Sequence, residues 1–236
     1  MFAVRMITID RSPKLNFVRN TLGALERSGV FSSPLLESFY VFDSGSSSLD
    51  FLAQVSLGKI NSAKRNPVQN VVAALRSGAA AGSPWVLFLE DDIDVCGDFL
   101  ESIAGWLADH EDEYPLFPLG ANYDVLKTLQ KLGKTAWKYP VAQFYGTLAV
   151  VMRAEIAYIL AAYLEMCDKS NLKIGNYPYD LYMSAWATER GYPHFLTPVP
   201  SFVQHTGVES VIRPGSEFHT YATWPGPLWT YQRVYA

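Results

Sequence analysis

Glu90, Asp91 and Asp92 stand in succession within WVLFLEDDID, and Asp94 follows one residue later. Three adjacent carboxylates repel one another, so keeping them ionised beside a buried segment requires compensating positive charge or hydrogen-bond donors. A hard divalent cation, Mn²⁺ or Mg²⁺, meets that need, because such ions take oxygen ligands and commonly combine one or two carboxylates with the oxygens of a diphosphate. The competing reading is an acidic turn that caps the following helix. Against it, the apolar run Trp85 to Leu89 leads into the acids with no polar interval, and perturbed carboxylates mark functional sites. Cys96 and Cys167 lie far apart without CxxC or Cys/His spacing, which argues against a zinc centre or a disulfide framework.

The acids need a rigid support, and the pattern along the chain supplies one. AVRMITID reads as a strand ending at Asp10 and Arg11, then a helix capped by Ser12 with Leu15, Val18, Leu22 and Leu25 on one face until Gly29. Phe39 to Phe42 reads as a second strand ending at Asp43, followed by a Ser/Gly loop. Asn66 and Pro67 predict the cap and first residue of a helix with Val68, Val71, Val72 and Leu75 inward. Trp85 to Leu89 has the unbroken apolar character of a strand covered on both faces.

Further on, Asp98 and Glu101 have capping-box spacing ahead of a helix bearing Phe99, Leu100, Ile103, Trp106 and Leu107. LFPLGAN reads as a short strand or extended segment, QFYGTLAVVMR as a strand, and the lysine-bearing stretch between them as a helix. Glu155 to Cys167 and Asp180 to Arg190 predict two more helices, whereas the proline-interrupted HFLTPVPSFVQH suits an edge strand. Alternating strands and helices predict an α/β fold, a mixed but mostly parallel sheet flanked by helices. Ligands of such sheets collect beyond the carboxyl ends of strands, where Asp10, Asp43 and the Glu90 to Asp92 cluster all fall.

The bulk composition fits one globular domain: 236 residues, 49% hydrophobic and 18% charged. A net charge of −4 gives no general attraction to phosphate backbones. A nucleic-acid partner would therefore depend on a local patch, for which Lys127, Lys131, Lys134 and Lys138 are the candidates beside their ordinary reading as solvated surface. No export signal and no run of 18 apolar residues is visible, and the expected location is a reducing cytoplasm.

With the acids at a strand end, WVLFLEDDI resembles the metal-binding segment of GT-A-fold glycosyltransferases, and its EDD is similar to that of N-acetylglucosaminyltransferases that build N-glycan branches. Two upstream segments agree in order. FDSGSSSLD resembles the strand end and loop that receive the base and ribose of a nucleotide sugar, and Arg65-Asn66 in KRN resembles the pair placed before the helix leading to the metal strand. The resemblance covers about Val4 to Leu107. It implies a single GT-A-like (Rossmann-like) catalytic domain over 1–236: a nucleotide-sugar half over about 1–107, an acceptor half over about 108–205 and an irregular aromatic tail over 206–236.

The resemblance also implies roles. Asp92 is the metal ligand, joined by His205 in FVQHTG as in some members, while Glu90, Asp91, Asp43, Arg11, Arg65 and Asn66 meet the donor. Asp180 in YPYDLYMSAWATERG stands where inverting members carry the catalytic base, although the acidic pair often found before that helix is missing and an N-cap is the simpler reading. A lone His such as His205 is equally readable as an ordinary hydrogen-bonded residue. The implied activity is Mn²⁺- or Mg²⁺-dependent transfer from a nucleotide sugar, a UDP-sugar by family habit, to the hydroxyl of a glycan, a small molecule or a modified DNA base. A nucleotidyltransferase shares the sheet and the carboxylates but wants a Gly-rich triphosphate loop, and a non-catalytic carbohydrate- or cation-binding module remains the third expectation.

Overall fold

The computed structural model describes residues 1–8, 17–44, 58–63, 65–110, 114–121, 123–144, 146–169 and 179–205. Asp10, Arg11, the proposed Ser12 cap, the Ser/Gly loop beyond Ser44 and the 206–236 tail lie outside these. In chain order the elements are β1 (Phe2–Thr8), α1 (Phe17–Arg27), β2 (Leu36–Asp43), β3 (Gly58–Ser62), α2 (Pro67–Ala79), β4 (Trp85–Leu89), β5 (Ile93–Val95) and α3 (Phe99–Ala108). They continue with β6 (Phe117–Pro118), α4 (Tyr123–Lys131), β7 (Ala136–Pro140), β8 (Ala149–Arg153), α5 (Ala154–Lys169), α6 (Tyr179–Glu189), β9 (His194–Pro198) and β10 (Val203–His205).

Six strands form one sheet in the order β3-β2-β1-β4-β8-β6. β3, β2, β1 and β4 run parallel to one another, and β8 is antiparallel to both β4 and β6. The continuous apolar character of β4 follows from its position. Trp85, Leu87 and Leu89 pack with Leu22, Leu25, Phe99, Ile103 and Trp106 on one face, and Val86 and Phe88 with Val71, Leu75, Leu160 and Trp186 on the other. A strand covered on both sides has no polar face to show.

Several expectations change in detail. Asp98 starts α3 but adopts φ 48°, ψ 46° and makes no side-chain cap bond, and Glu101 Oε1 accepts a hydrogen bond from Ser33 instead. Asp98 thus lacks the extended backbone usual for a capping side chain, and the predicted capping box does not form. A reciprocal box does form at α2: Asn66 Oδ1 accepts the Gln69 N–H at 2.8 Å and Gln69 Oε1 accepts the Asn66 N–H at 3.3 Å.

Among the described residues of QFYGTLAVVMR, Gln143 ends a 3-10 turn and the strand runs from Ala149 to Arg153. LFPLGAN contributes only Phe117–Pro118. The lysine-bearing helix stops at Lys131, and Ala136–Pro140 becomes a strand. HFLTPVPSFVQH supplies edge strands as expected, but of two two-stranded antiparallel ribbons, β7-β9 and β10-β5, and not of the main sheet.

Candidate functional site

Parallel register brings the ends of β2, β1 and β4 to one edge. Thr8 is level with Asp43 in the β1–β2 pairing, and Met6 is level with Leu89 in the β1–β4 pairing, so two residues further on Thr8 faces Asp91. The Thr8 hydroxyl donates to Asp91 Oδ2 at 2.6 Å. Asp91 is thereby committed to fixing the acid loop, and it is buried.

α1 holds the same loop from its other side. The Thr21 hydroxyl lies 2.8 Å from both the Asp91 and Ile93 carbonyl oxygens and accepts the Ile93 N–H at 3.1 Å. Across the strand ends, Asn70 of α2 donates through its amide to the Thr8 and Phe42 carbonyls at 3.2 and 2.8 Å. The edge that carries the acids is thus tied to helices on both faces of the sheet.

Asp92 points elsewhere. Its Oδ2 lies 3.2 Å from His205 Nε2, with only 6% and 9% of the two side chains exposed. β10 delivers the imidazole: it pairs antiparallel with β5, and His205 sits opposite Ile93, the residue after Asp92. Short local pairing therefore explains how residues so distant in sequence meet.

Glu90 is half-buried and takes two hydroxyl donors on Oε1, one from Tyr179 and one from Thr147, the latter at 2.7 Å. Burial first and the Asp92 charge second push its carboxyl up to about 7. The Tyr179 phenol is likewise raised, by burial and by Glu90.

Asp180, buried in the first turn of α6, accepts the Gly146 N–H on Oδ2 and the Leu181 N–H on Oδ1, each at 2.8 Å. Asp180 lies inside α6 and accepts from its immediate neighbour, so it is no N-cap, and its Oδ2 reaches a separate loop. Gly146 has φ +86°, a conformation that L side chains rarely adopt.

The remaining candidates are more dispersed. Asp43 is buried at the end of β2, and its carbonyl accepts the Ala63 N–H. Asn66 spends its side chain as the α2 cap and donates to Asp168 Oδ1 of α5 at 2.8 Å, while Arg65 precedes it half-buried. Arg11 lies outside the described residues. Lys127, Lys131, Lys134 and Lys138 are all exposed. No helix among the described residues is long and apolar enough to cross a membrane.

Thr8, Thr21, Thr147 and the contact of Tyr179 with Glu90 escaped the sequence reading, which had Tyr179 only as one of the aromatic residues beside Asp180. Thr21 alone carried a local signal, a hydroxyl three residues after Val18 on the apolar face of α1. The other contacts join residues 57 to 89 positions apart.

Among the described residues no group of three or more His, Cys, Asp or Glu side chains converges as a metal cage. The Asp92–His205 pair nevertheless suits a cation that takes further ligands from a substrate. Ligand atoms at adjacent corners of an octahedron with bonds of ~2.1 Å lie about 3.0 Å apart, close to the 3.2 Å between Asp92 Oδ2 and His205 Nε2.

No family model matches the chain, and no curated protein matches it in sequence. Its architecture, a mostly parallel α/β sheet flanked by helices in a single domain, is the GT-A glycosyltransferase fold. Among solved structures, that of S. aureus TarS residues 1–349 superposes with a TM-score of 0.56 at 16% identity over 87% of this chain. The UDP complex of TarS 1–349 gives 0.55 at 15% identity, and GalNAc-T7 with UDP, GalNAc and Mn²⁺ gives 0.58 at 13% identity, each over 86% of this chain. The matched region spans 60% of TarS 1–349 and 43% of the GalNAc-T7 chain.

Proposed function

We propose that this chain is a divalent-cation-dependent glycosyltransferase that moves a sugar from a nucleotide sugar, a UDP-sugar, to an acceptor hydroxyl with inversion. The observation that carries this reading is the meeting of Asp92 with His205 at the carboxyl edge of a GT-A sheet, with Asp180 held by the Gly146–Thr147 loop that also holds Glu90. The UDP bound to TarS and the UDP and Mn²⁺ bound to GalNAc-T7 support the choice of donor and ion.

Asp92 and His205 would hold the cation. When bound, it supplies neutralisation of the charge that develops on the departing diphosphate. Asp43, at the end of β2, and Arg11 and Arg65 are the groups assigned to the base, ribose and phosphates, where a planar guanidinium suits paired oxygens. Asn66 is committed to its cap and to Asp168, so its part in donor binding is to fix where α2 begins.

Asp180 takes the proton from the acceptor hydroxyl. The acceptor oxygen then forms its bond to the anomeric carbon on the face opposite the phosphate, and the carbon–phosphate oxygen bond breaks with its electron pair leaving on the nucleoside diphosphate. Glycan, small molecule and modified DNA base are the acceptor classes. For the last, the exposed lysines of α4 and β7 are the candidate contact, read out as salt-dependent duplex binding that falls on charge reversal at Lys127 and Lys131.

The test is thermal stabilisation and nucleoside-diphosphate release over a panel of nucleotide sugars with and without Mn²⁺. A ligand present at 100 times its Kd stabilises the fold by about 2.7 kcal/mol through mass action. Asp92→Ala is expected to lose the Mn²⁺-dependent part of that gain. Equal stabilisation of wild type and Asp92→Ala, or no response to any donor, overturns the reading.

A further inference from the structure

Two pairs of consecutive residues face one another at the edge of the site. Thr147 and Tyr179 both donate to Glu90 Oε1, while their neighbours Gly146 and Asp180 bond to each other, N–H to Oδ2, at 2.8 Å. The loop after the 3-10 turn and the first turn of α6 are thus cross-linked twice, once directly and once through the carboxylate that ends β4.

We propose that Tyr179 and Thr147 are positioning residues that fasten Glu90 to the Gly146–Asp180 contact, so that the acidic strand end and the Asp180 carboxylate move as one rigid unit. This rests on the reading of Asp180 as the base. The Tyr179 ring alone does not account for the arrangement. It packs edge-to-face on Phe88, centroids 6.0 Å apart, and a phenylalanine would do the same. What phenylalanine lacks is the hydroxyl, and the hydroxyl is spent on Glu90.

Reaction geometry gives the tie its value. The acceptor oxygen must approach the anomeric carbon while its proton is within reach of Asp180 and the leaving group is held near Asp92. A displacement of about 1 Å between such groups costs on the order of 100-fold in rate. Loss of the Tyr179 hydroxyl removes a direct hydrogen bond from α6 to the strand end, and packing and the Gly146–Asp180 contact are among the ties that remain.

The experiment compares wild type, Tyr179→Phe, Asp180→Asn and the double variant. Steady-state release of nucleoside diphosphate from the active donor in Mn²⁺ is measured together with UDP affinity by calorimetry. Amide hydrogen exchange is followed at Gly146 and in β4. Tyr179→Phe is expected to lower kcat by about 10- to 100-fold, with UDP affinity changed less than about twofold. In the Asp180→Asn background the same substitution is expected to cost less than about twofold, because the group it positions is gone.

The Gly146 amide is expected to exchange at least about tenfold faster in Tyr179→Phe while β4 keeps its protection. An unchanged kcat, a loss that persists in full in the Asp180→Asn background, or unchanged Gly146 exchange overturns the inference. If wild type neither binds UDP nor releases it from any donor, the proposed function falls, and Gly146 exchange still decides whether Tyr179 holds the two segments together.

Discussion

Thr21 sits wholly buried in α1 and spends its hydroxyl on the backbone on both sides of Asp92. Thr21→Val keeps shape and removes those bonds, leaving buried backbone groups unsatisfied. The expected loss is about 1–3 kcal/mol by denaturant titration, accompanied by a weaker Mn²⁺ response, because the loop that carries Asp92 loses its tie to α1 and keeps the one from Thr8. Glu90 yields a second prediction, for the metal-free protein. Its carboxyl is raised from 4.5 to about 7 by burial and by Asp92, so the folded state binds more protons than the unfolded one between those values. Stability from this group is therefore full below about pH 4.5 and declines as pH rises through about 7. Glu90→Gln, which keeps the oxygen that accepts from Tyr179 and Thr147, is expected to remove that slope when melting is followed across pH 4–8; an identical slope in both proteins refutes it.

The elements place these residues through close packing, and α2 shows how tight the fit is. A Cβ built on Gly78 would stand 2.6 Å from Val86 Cγ1 and 3.0 Å from Cγ2, whereas one on Gly105 in α3 meets nothing within 4 Å. Gly78→Ala is expected to lose about 1–2 kcal/mol, overpacking outweighing the gain in helix propensity. Gly105→Ala is expected to gain about 0.5–1 kcal/mol. Opposite signs in parallel denaturation curves are the check. Periodicity made the helices of this layer legible: α2, α5 and α6 fall within a residue or two of their predicted bounds, and so does β4. β5 is the three-residue Ile93–Val95, too short for its alternation to read as a strand, and β3 is the polar GKINS. The acids at the end of β4 were legible as a candidate site, because a buried strand running into three carboxylates is locally anomalous. The contacts of Thr147 and Tyr179 with Glu90 were not, since an isolated hydroxyl acquires meaning only from a partner dozens of residues away.

At the scale of the whole molecule, the stretches on either side of the division at residue 107 share their sheets. β8 lies against β4 in the middle of the main sheet, and β10 pairs with β5 immediately beyond the acids. Asp92 and His205 come from opposite sides of that division and share one ribbon. A chain severed between Leu107 and Ala108 would leave each fragment with one member of the pair. Neither fragment alone is expected to respond to Mn²⁺ in thermal melting, and mixing them is expected to restore the response only where they reassociate. Retention of the ion would then serve as a reporter of fragment complementation, with a cut protein signalling its own repair.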